Sequence, residues 1–207
     1  MSICAAICLL TGAATLSAKS VEKLKNDKVR VLEVRLGAGA WETVTDGRPS
    51  VLVYLAGTDA KLSFTDGAKR QEKIERGETV PEPAALRAIA NAGPTPLHFI
   101  RVEFLTGGSD ETWGMSGLPP NYKQLFENRY SRTYDIRIAA HQKEPRHTHH
   151  ARVVVCLSGA KLEHILPDGR VQPSTLATGE IAWRPGQTHV GHNLGDTNLW
   201  VIAIEPK

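Results

Sequence analysis

The sequence predicts an all-β protein in which one unit occurs twice along the chain. Residues near 26–105 match residues near 128–207 at a constant offset of 102 positions, the spacing between Gly57 and Gly159. The same offset relates further pairs, including Asn91 with Asn193, Pro83 with Pro185, and Asp66-Gly67 with Asp168-Gly169. A register that holds over most of two segments indicates duplication of one structural unit.

Short strands are predicted in both copies. Alternating or β-branched segments recur in each, separated by Asp-Gly turn signals, and many short strands with regular turns indicate a sandwich or barrel. The predicted strands include Val29–Leu36, Val51–Leu55 and Leu97–Val102 in the first copy, and Tyr134–Ile138, Val153–Leu157 and Leu199–Ile204 in the second.

The domain organisation follows from the two copies and the segments around them. Residues 106–127 are rich in Gly, Pro and Ser and are predicted to be a linker, with one helical turn from Lys123 to Asn128. Residues 1–18 are apolar and resemble the hydrophobic region and cleavage zone of a signal peptide; the alternative is a packed N-terminal helix. A signal peptide predicts a periplasmic or secreted protein with no membrane segment after processing. Without it, the protein is expected in the cytoplasm.

The composition excludes several classes of partner and scaffold. The net charge is +3 without a Lys/Arg run, so no nucleic-acid partner is expected. The three cysteines, Cys4, Cys8 and Cys156, show no zinc-finger spacing and do not indicate a disulfide framework. Cys156 is interpreted as a small buried apolar residue.

Histidines are concentrated in the second copy. His147 and His149 form an H-x-H pair, and alternate residues of a strand share one face. About forty residues later, a Pro-Gly turn brings His189 from another strand. Three neutral imidazoles that converge from two strands form a divalent-metal site with open coordination positions.

These residues resemble the motifs of the cupin superfamily. His147-Thr-His149 followed by Gly159 matches the frame of the first cupin motif, and Gly179, Pro185, His189 and Asn193 match the second. The resemblance covers both copies, so it implies two tandem cupin (jelly-roll) β-barrels: residues 26–105 form a degenerate repeat and residues 128–207 a metal-binding repeat. It implies a divalent metal at His147, His149 and His189, with iron preferred and manganese, zinc, nickel or copper as alternatives.

One position departs from the family. Arg152 stands where cupins carry a metal-binding Glu, so the site is predicted to hold its metal with three histidines. Arg152 either faces the cavity and pairs with a substrate carboxylate or lies on the barrel exterior. In the first repeat the offset places Thr45, Gly47 and Arg87 at the ligand positions, and none of these replaces a neutral imidazole.

Other residues are candidates for the pocket. His164 and Trp183 are predicted to line it and, with Arg152, to bind substrate, whereas Asn193 is expected to cap a turn. His150 and His192 lie on the opposite faces of their strands from the predicted ligands. They are expected to face solvent or to support the site. Glu163 and Glu180 are loose candidates for a general base, and no catalytic residue is assigned.

Three functions remain open at this point. The first is a metal-dependent enzyme: a dioxygenase-like protein acting on a small organic acid or thiol, or an isomerase or lyase that uses Lewis-acid polarisation. The second is an exported cupin that binds a metal or small ligand without turnover. The third is a structural or interaction protein, since fold alone does not select a function. A small-molecule ligand and a homodimer are the expected partners.

Overall fold

The fold is described from a computed structural model, which describes residues 18–44 and 47–207. The predicted signal peptide, residues 1–18, lies outside the described residues except for Ala18. Within the described residues there are eighteen strands and no helix long and apolar enough to cross a membrane.

The first half of the described chain contains β1 to β9. Their bounds are β1 Lys19–Lys25, β2 Val29–Leu36, β3 Trp41–Thr43, β4 Ser50–Ala56, β5 Asp59–Phe64, β6 Lys69–Lys73, β7 Thr79–Pro81, β8 Leu86–Asn91 and β9 Leu97–Phe104. The second half contains β10 Tyr122–Glu127, β11 Ser131–Ile138, β12 His147–His149, β13 Arg152–Ser158, β14 Ala160–Ile165, β15 Val171–Leu176, β16 Ile181–Arg184, β17 Gln187–Asn193 and β18 Leu199–Pro206.

The duplication predicted from the sequence is visible in the sheet topology. The first half forms a five-stranded sheet, β1-β2-β9-β4-β7, and a four-stranded sheet, β3-β8-β5-β6. The second half forms β10-β11-β18-β13-β16 and β12-β17-β14-β15, which is the same order shifted by nine strands. The strand pairings thus produce four open sheets and not the closed barrels expected from the sequence. The strands β3, β7 and β12 have three residues each and leave few backbone groups for further pairing.

Three apolar clusters place the sheets in layers. One cluster fills the space between the two sheets of the first half, and another fills the corresponding space in the second half. The third lies between the two five-stranded sheets and includes Val51 and Val53 of β4 with Val153 and Val155 of β13. Because alternate residues of a strand face opposite ways, Arg152, Val154 and Cys156 face the core of the second half.

The linker in the structure is shorter than the segment 106–127 that the sequence predicts. Residues 122–127 form β10, which pairs with β11, and the predicted helical turn from Lys123 to Asn128 is therefore wrong. The strand Lys19–Lys25 plays the same part in the first half by pairing with β2, so each unit begins one strand earlier than the repeat boundaries at 26 and 128. A paired edge strand satisfies the backbone groups that a free turn would leave to water.

Candidate metal centre

The sheet register brings the three predicted histidine ligands together. In the four-stranded sheet of the second half, β12 pairs with β17 so that His147 lies directly opposite His189. His149 shares the inward face of β12 with His147, and all three side chains are buried. One ring nitrogen from each lies within 4.8 Å of the others, an arrangement compatible with metal binding.

All three imidazoles are neutral at neutral pH. Burial lowers the pKa of His149 to about 4 and, together with nearby His164, lowers that of His189 to about 2. Burial also lowers the pKa of His147. The Nδ1 atom of His147 lies 2.8 Å from the carbonyl oxygen of Pro145, which only accepts hydrogen bonds. Nδ1 therefore carries the proton, and the Nε2 lone pair of His147 is free to bind a metal.

Tyr122 completes a cluster of polar atoms that holds too few protons. Its hydroxyl lies 3.1 Å from Nε2 of His147 and 3.0 Å from Nε2 of His149, and these two nitrogens are 3.0 Å apart. The phenol can donate its one proton to only one of the two nitrogens. When both Nε2 atoms are unprotonated, their contact with each other therefore brings two lone pairs together. A cation bound among these atoms relieves that repulsion, and the site fits a metal ion on this ground.

Glu205 supports the cluster from behind. It is fully buried on β18, and its Oε1 lies 3.7 Å from Nδ1 of His149, which favours a proton on that nitrogen. Arg132 donates from Nε and Nη2 to Oε2 at 2.9 and 2.7 Å, and the Tyr134 hydroxyl donates to the same oxygen at 3.2 Å. A carboxylate behind a ligating imidazole fixes its tautomer and orientation.

A cavity of about 60 Å³ adjoins the histidines inside the second half. Its wall is largely aliphatic, and its polar residues include Glu144, Arg152, His164 and Arg184, together with His149 and His189. This volume admits a few water molecules or a ligand of a few non-hydrogen atoms.

Arg152 faces this cavity, which settles the orientation left open by the sequence. Its side chain is buried, and Nη1 donates to the carbonyl of His150 at 3.4 Å. Within the described chain, no carboxylate lies at salt-bridge distance from its guanidinium, and burial lowers its pKa. Glu205 and Glu144 offset its charge only at longer range, and an anionic ligand in the cavity would supply the direct partner that this buried guanidinium lacks.

The other predicted pocket residues divide between the two faces of their strands. His164 lines the cavity, and its ring stacks on that of His189 with centroids 4.5 Å apart. Trp183 does not line the cavity; it packs against the cluster between the two five-stranded sheets, so its predicted place in the pocket is wrong. Trp183 pairs with Val153 and Arg184 with Arg152, so Arg184 is the residue that turns inward.

The remaining predicted polar residues lie outside the ligand cluster. The exposed His150 stacks on Trp113, and His192 pairs with Glu163 at 2.9 Å. Asn193 holds a turn, since its side-chain amide bonds to the backbone of Ile138, Ala139, Thr197 and Gly195. Cys156 is a buried free thiol whose pKa burial raises to about 11.

The carboxylate that faces the cavity is Glu144, which the sequence analysis did not select. Burial raises its pKa to about 7, and Asn121 donates to Oε1 at 2.8 Å. A side chain at position 191 would collide with Oε2, so Gly191 makes room for this carboxylate. Neither Glu163, which pairs with His192, nor Glu180, which caps a turn at Ala177, is a cavity residue.

The corresponding cavity of the first half, of about 210 Å³, is lined by ion pairs. Arg101 is buried between two carboxylates, at 2.9 Å from Glu42 and 3.0 Å from Glu82. The offset relates Arg101 to Ala203, and Glu42 to Glu144. Both halves therefore have a cavity here, but the second half lacks the arginine that pairs with this carboxylate. At the first-half ligand positions, Arg87 is exposed, Gly47 has a positive φ of 55° and lines the cavity, and Thr45 lies outside the described residues.

One signal in the sequence could have indicated Glu144 and Glu205, which were missed. Glu42 and Glu144 are related by the repeat offset, as are Glu103 and Glu205, and charged residues retained at equivalent positions of both copies indicate a shared role. Tyr122 has no such signal, because its counterpart in the first half is Ser20.

Comparison with known proteins finds similarity in structure only. No protein-family model matches the sequence, and a search of curated proteins finds no match. AerE from Microcystis aeruginosa has a TM-score of 0.67 at 13% identity, covering 92% of each chain. A cupin 2 conserved barrel domain protein from Leptotrichia buccalis has a TM-score of 0.62 at 13% identity, covering 94% of this chain and 91% of that one.

Oxalate decarboxylase from Bacillus subtilis is also similar. A structure concerned with its Mn(II) centres has a TM-score of 0.56 at 12% identity, covering 94% of this chain and 78% of that one. At these identities the similarity concerns the fold and not the chemistry. The chain has the cupin fold.

Proposed function

We propose that this protein is a metal-binding bicupin whose second repeat holds one divalent metal through His147, His149 and His189. The observation that carries the proposal is the convergence of three buried, neutral imidazoles whose ring nitrogens lie within 4.8 Å. Iron is the preferred metal; the Mn(II) centres of oxalate decarboxylase support manganese as an alternative. The first repeat is proposed to be structural, since it has no histidine at the ligand positions and ion pairs line its cavity.

The ligand we propose is a small organic acid. Arg152 and Arg184 line the cavity beside the histidines, and the buried Arg152 has no carboxylate partner among the described residues. A guanidinium binds a carboxylate through two parallel hydrogen bonds, which would orient the acid toward the metal. A cavity of about 60 Å³ favours an acid of few atoms.

The preferred enzymatic function is dioxygenase-like oxidation of that acid or of a small thiol. When bound, a redox-active iron supplies electrons to molecular oxygen, whereas a redox-inert divalent metal supplies Lewis-acid polarisation. The protein's own part is to orient the substrate through Arg152 and to keep bulk water away with the aliphatic wall.

A second candidate is a metal-dependent isomerase or lyase, and Glu144 is the observation that favours it. A carboxyl group with a pKa of about 7 takes up and releases a proton near neutral pH, which suits a general acid or base. Glu144 lines the same cavity as Arg152 and would act on a substrate held there. The non-catalytic alternative is a cupin that binds a metal or ligand without turnover.

One experiment separates these functions. Tag-free protein loaded anaerobically with iron(II) is screened with small carboxylic acids and thiols for binding, for oxygen consumption, and for exchange of substrate protons with deuterated solvent. Binding that is lost in Arg152→Met supports the acid ligand. Oxygen consumption supports the dioxygenase; proton exchange that is lost in Glu144→Gln supports the isomerase or lyase.

Binding without either reaction would leave the non-catalytic role. If no acid or thiol binds the metal-loaded protein, the small-ligand proposal is wrong. Export and homodimer formation remain proposals that rest on the sequence alone.

A further inference from the structure

Tyr122 lies beside two of the three histidines of the metal site. It is the first residue of β10, and its side chain is buried at the centre of the second half. Its hydroxyl lies within hydrogen-bond distance of the Nε2 atoms of His147 and His149 and of no other group among the described residues. A phenol oxygen is thus aimed at the same point as two metal-binding nitrogens.

The distances among the Tyr122 hydroxyl oxygen and the two Nε2 atoms match the spacing of ligand atoms around a metal ion. The three atoms form a nearly equilateral triangle with sides of 3.0, 3.0 and 3.1 Å. Ligands bound at about 2.1 Å and at right angles to one another are about 3.0 Å apart, whereas tetrahedral ligands at that bond length are about 3.4 Å apart. The triangle therefore matches one face of an octahedral site, with two histidines and one anionic oxygen.

The duplicated first half supports the link between this tyrosine and the histidines. The repeat offset relates Tyr122 to Ser20, just as it relates the three histidines to Thr45, Gly47 and Arg87. The half without the imidazoles also lacks the phenol. By contrast, the supporting carboxylate of Glu205 has a counterpart in Glu103. Tyr122 is thus absent from the half that lacks the histidines, whereas the supporting carboxylate is present in both halves.

We infer that Tyr122 is a fourth protein ligand of the metal, binding it through the phenol oxygen in place of the carboxylate missing at position 152. The inference rests on the proposed metal site. On binding, the phenol proton leaves to solvent and the oxygen lone pair forms the bond to the metal. The phenolate contributes one negative charge beside the three neutral histidines, which leaves Arg152 free for the ligand.

Iron(III) provides the test, because a phenolate bound to iron(III) gives a visible charge-transfer band. Tag-free protein is loaded with iron(II) without oxygen and is then oxidised with ferricyanide. We expect one iron per chain, a visible band, and resonance Raman modes of a tyrosinate ring that shift when the tyrosines are ring-deuterated. In Tyr122→Phe we expect the band to disappear and iron(II) to bind at least about tenfold more weakly.

The matched control is Tyr54→Phe, which removes a buried phenol in the first half and should keep the band. If the wild type binds one iron that His147→Ala lacks, yet shows no phenolate band, Tyr122 is not a ligand and the three-histidine site stands. If the wild type binds no metal, the proposed function and this inference both fail. The Raman experiment needs only the wild type, so poor folding of Tyr122→Phe would not prevent the decision.

Discussion

At the scale of single residues, two buried arginines distinguish the two halves of the protein. Arg101 in the first half lies between Glu42 and Glu82, so its charge is compensated within the fold. Arg152 in the second half is equally buried, and no carboxylate of the described residues lies within salt-bridge distance. A buried charge without a partner lowers stability, and it persists where a ligand uses it.

Replacing these arginines by methionine should therefore have opposite effects. Arg152→Met removes a buried charge that has no salt-bridge partner and should raise the free energy of unfolding of the ligand-free protein by about 1–4 kcal/mol, whereas small acids should no longer bind. Arg101→Met leaves two buried carboxylates without their partner and should lower the free energy of unfolding by about 3–5 kcal/mol. Chemical denaturation of both variants measures this, and destabilisation by Arg152→Met would show that its charge is compensated in the protein.

Glu144 gives the stability of the metal-free protein a distinct pH dependence. Burial raises its pKa from 4.5 to about 7, so the folded protein binds one more proton than the unfolded chain between these values. The stabilisation associated with this proton is complete below pH 4.5 and is lost as pH rises through about 7.

We expect denaturation curves to show the free energy of unfolding of the wild type falling, relative to Glu144→Gln, by up to about 3 kcal/mol between pH 4.5 and pH 7. Above that range the difference should stay constant. The exposed carboxylate variant Asp168→Asn serves as the control. Parallel pH profiles of the wild type and Glu144→Gln would mean that Glu144 ionises normally.

At the scale of secondary structure, the repeat uses the same tight turn twice. A β-carbon on Gly57 would lie 2.0 Å from the backbone oxygen of Ile74, and one on Gly159 would lie 2.2 Å from that of Leu176. Backbone atoms cannot move aside as a flexible side chain can. These glycines therefore let β4 and β13 end close to the segments that follow.

We predict that Gly57→Ala and Gly159→Ala each lower the free energy of unfolding by about 1–3 kcal/mol, the cost of overpacking. Gly107→Ala is the matched control, since its β-carbon would meet nothing within 4 Å, and its effect should stay within about 0.5 kcal/mol. Thermal denaturation of the three variants provides the measurement. Equal melting temperatures for all three would contradict this account of the turns.

The strands show which structural features the sequence could predict. The offset of 102 and the alternation of β2 and β11 predicted the duplicated sheets, because both depend on local pattern. The H-x-H pair predicted two inward imidazoles, because strand alternation fixes their parity. Trp183 was misplaced because the sequence does not reveal which face of β16 turns inward. That choice depends on its pairing with β13.

The positions of Tyr122 and Glu144 in the site were not predicted for a different reason, although the repeat offset relates Glu144 to Glu42. Tyr122 follows a segment rich in Gly and Pro that is typical of a linker, and only its pairing with β11 makes it part of a sheet. Glu144 precedes the H-x-H pair in a segment without alternation. Its place in the cavity depends on the backbone hydrogen bond to Gly191, a contact 47 positions away along the chain. Long-range pairing, not local pattern, brings both residues to the site.

At the scale of the whole molecule, the two halves share one core while differing in their interiors. The five-stranded sheets pack against each other through a cluster that includes Ile100 and Val102 of β9 with Ile202 and Ile204 of β18. Arg76 of the first half also lies over the ring of Trp200, 5.0 Å from its centroid. The first half thus supports the sheet that carries Arg152 and Glu205.

The most direct test of the metal centre is elemental analysis of tag-free protein, run beside His147→Ala, His189→Ala and the control His192→Ala. The account predicts about one equivalent of a divalent metal, lost in the first two variants and retained in the third, whose histidine pairs with Glu163 outside the ligand cluster. A wild type that holds no metal, even after incubation with iron(II) or manganese(II), would contradict the account. So would metal that survives the loss of His147 and of His189.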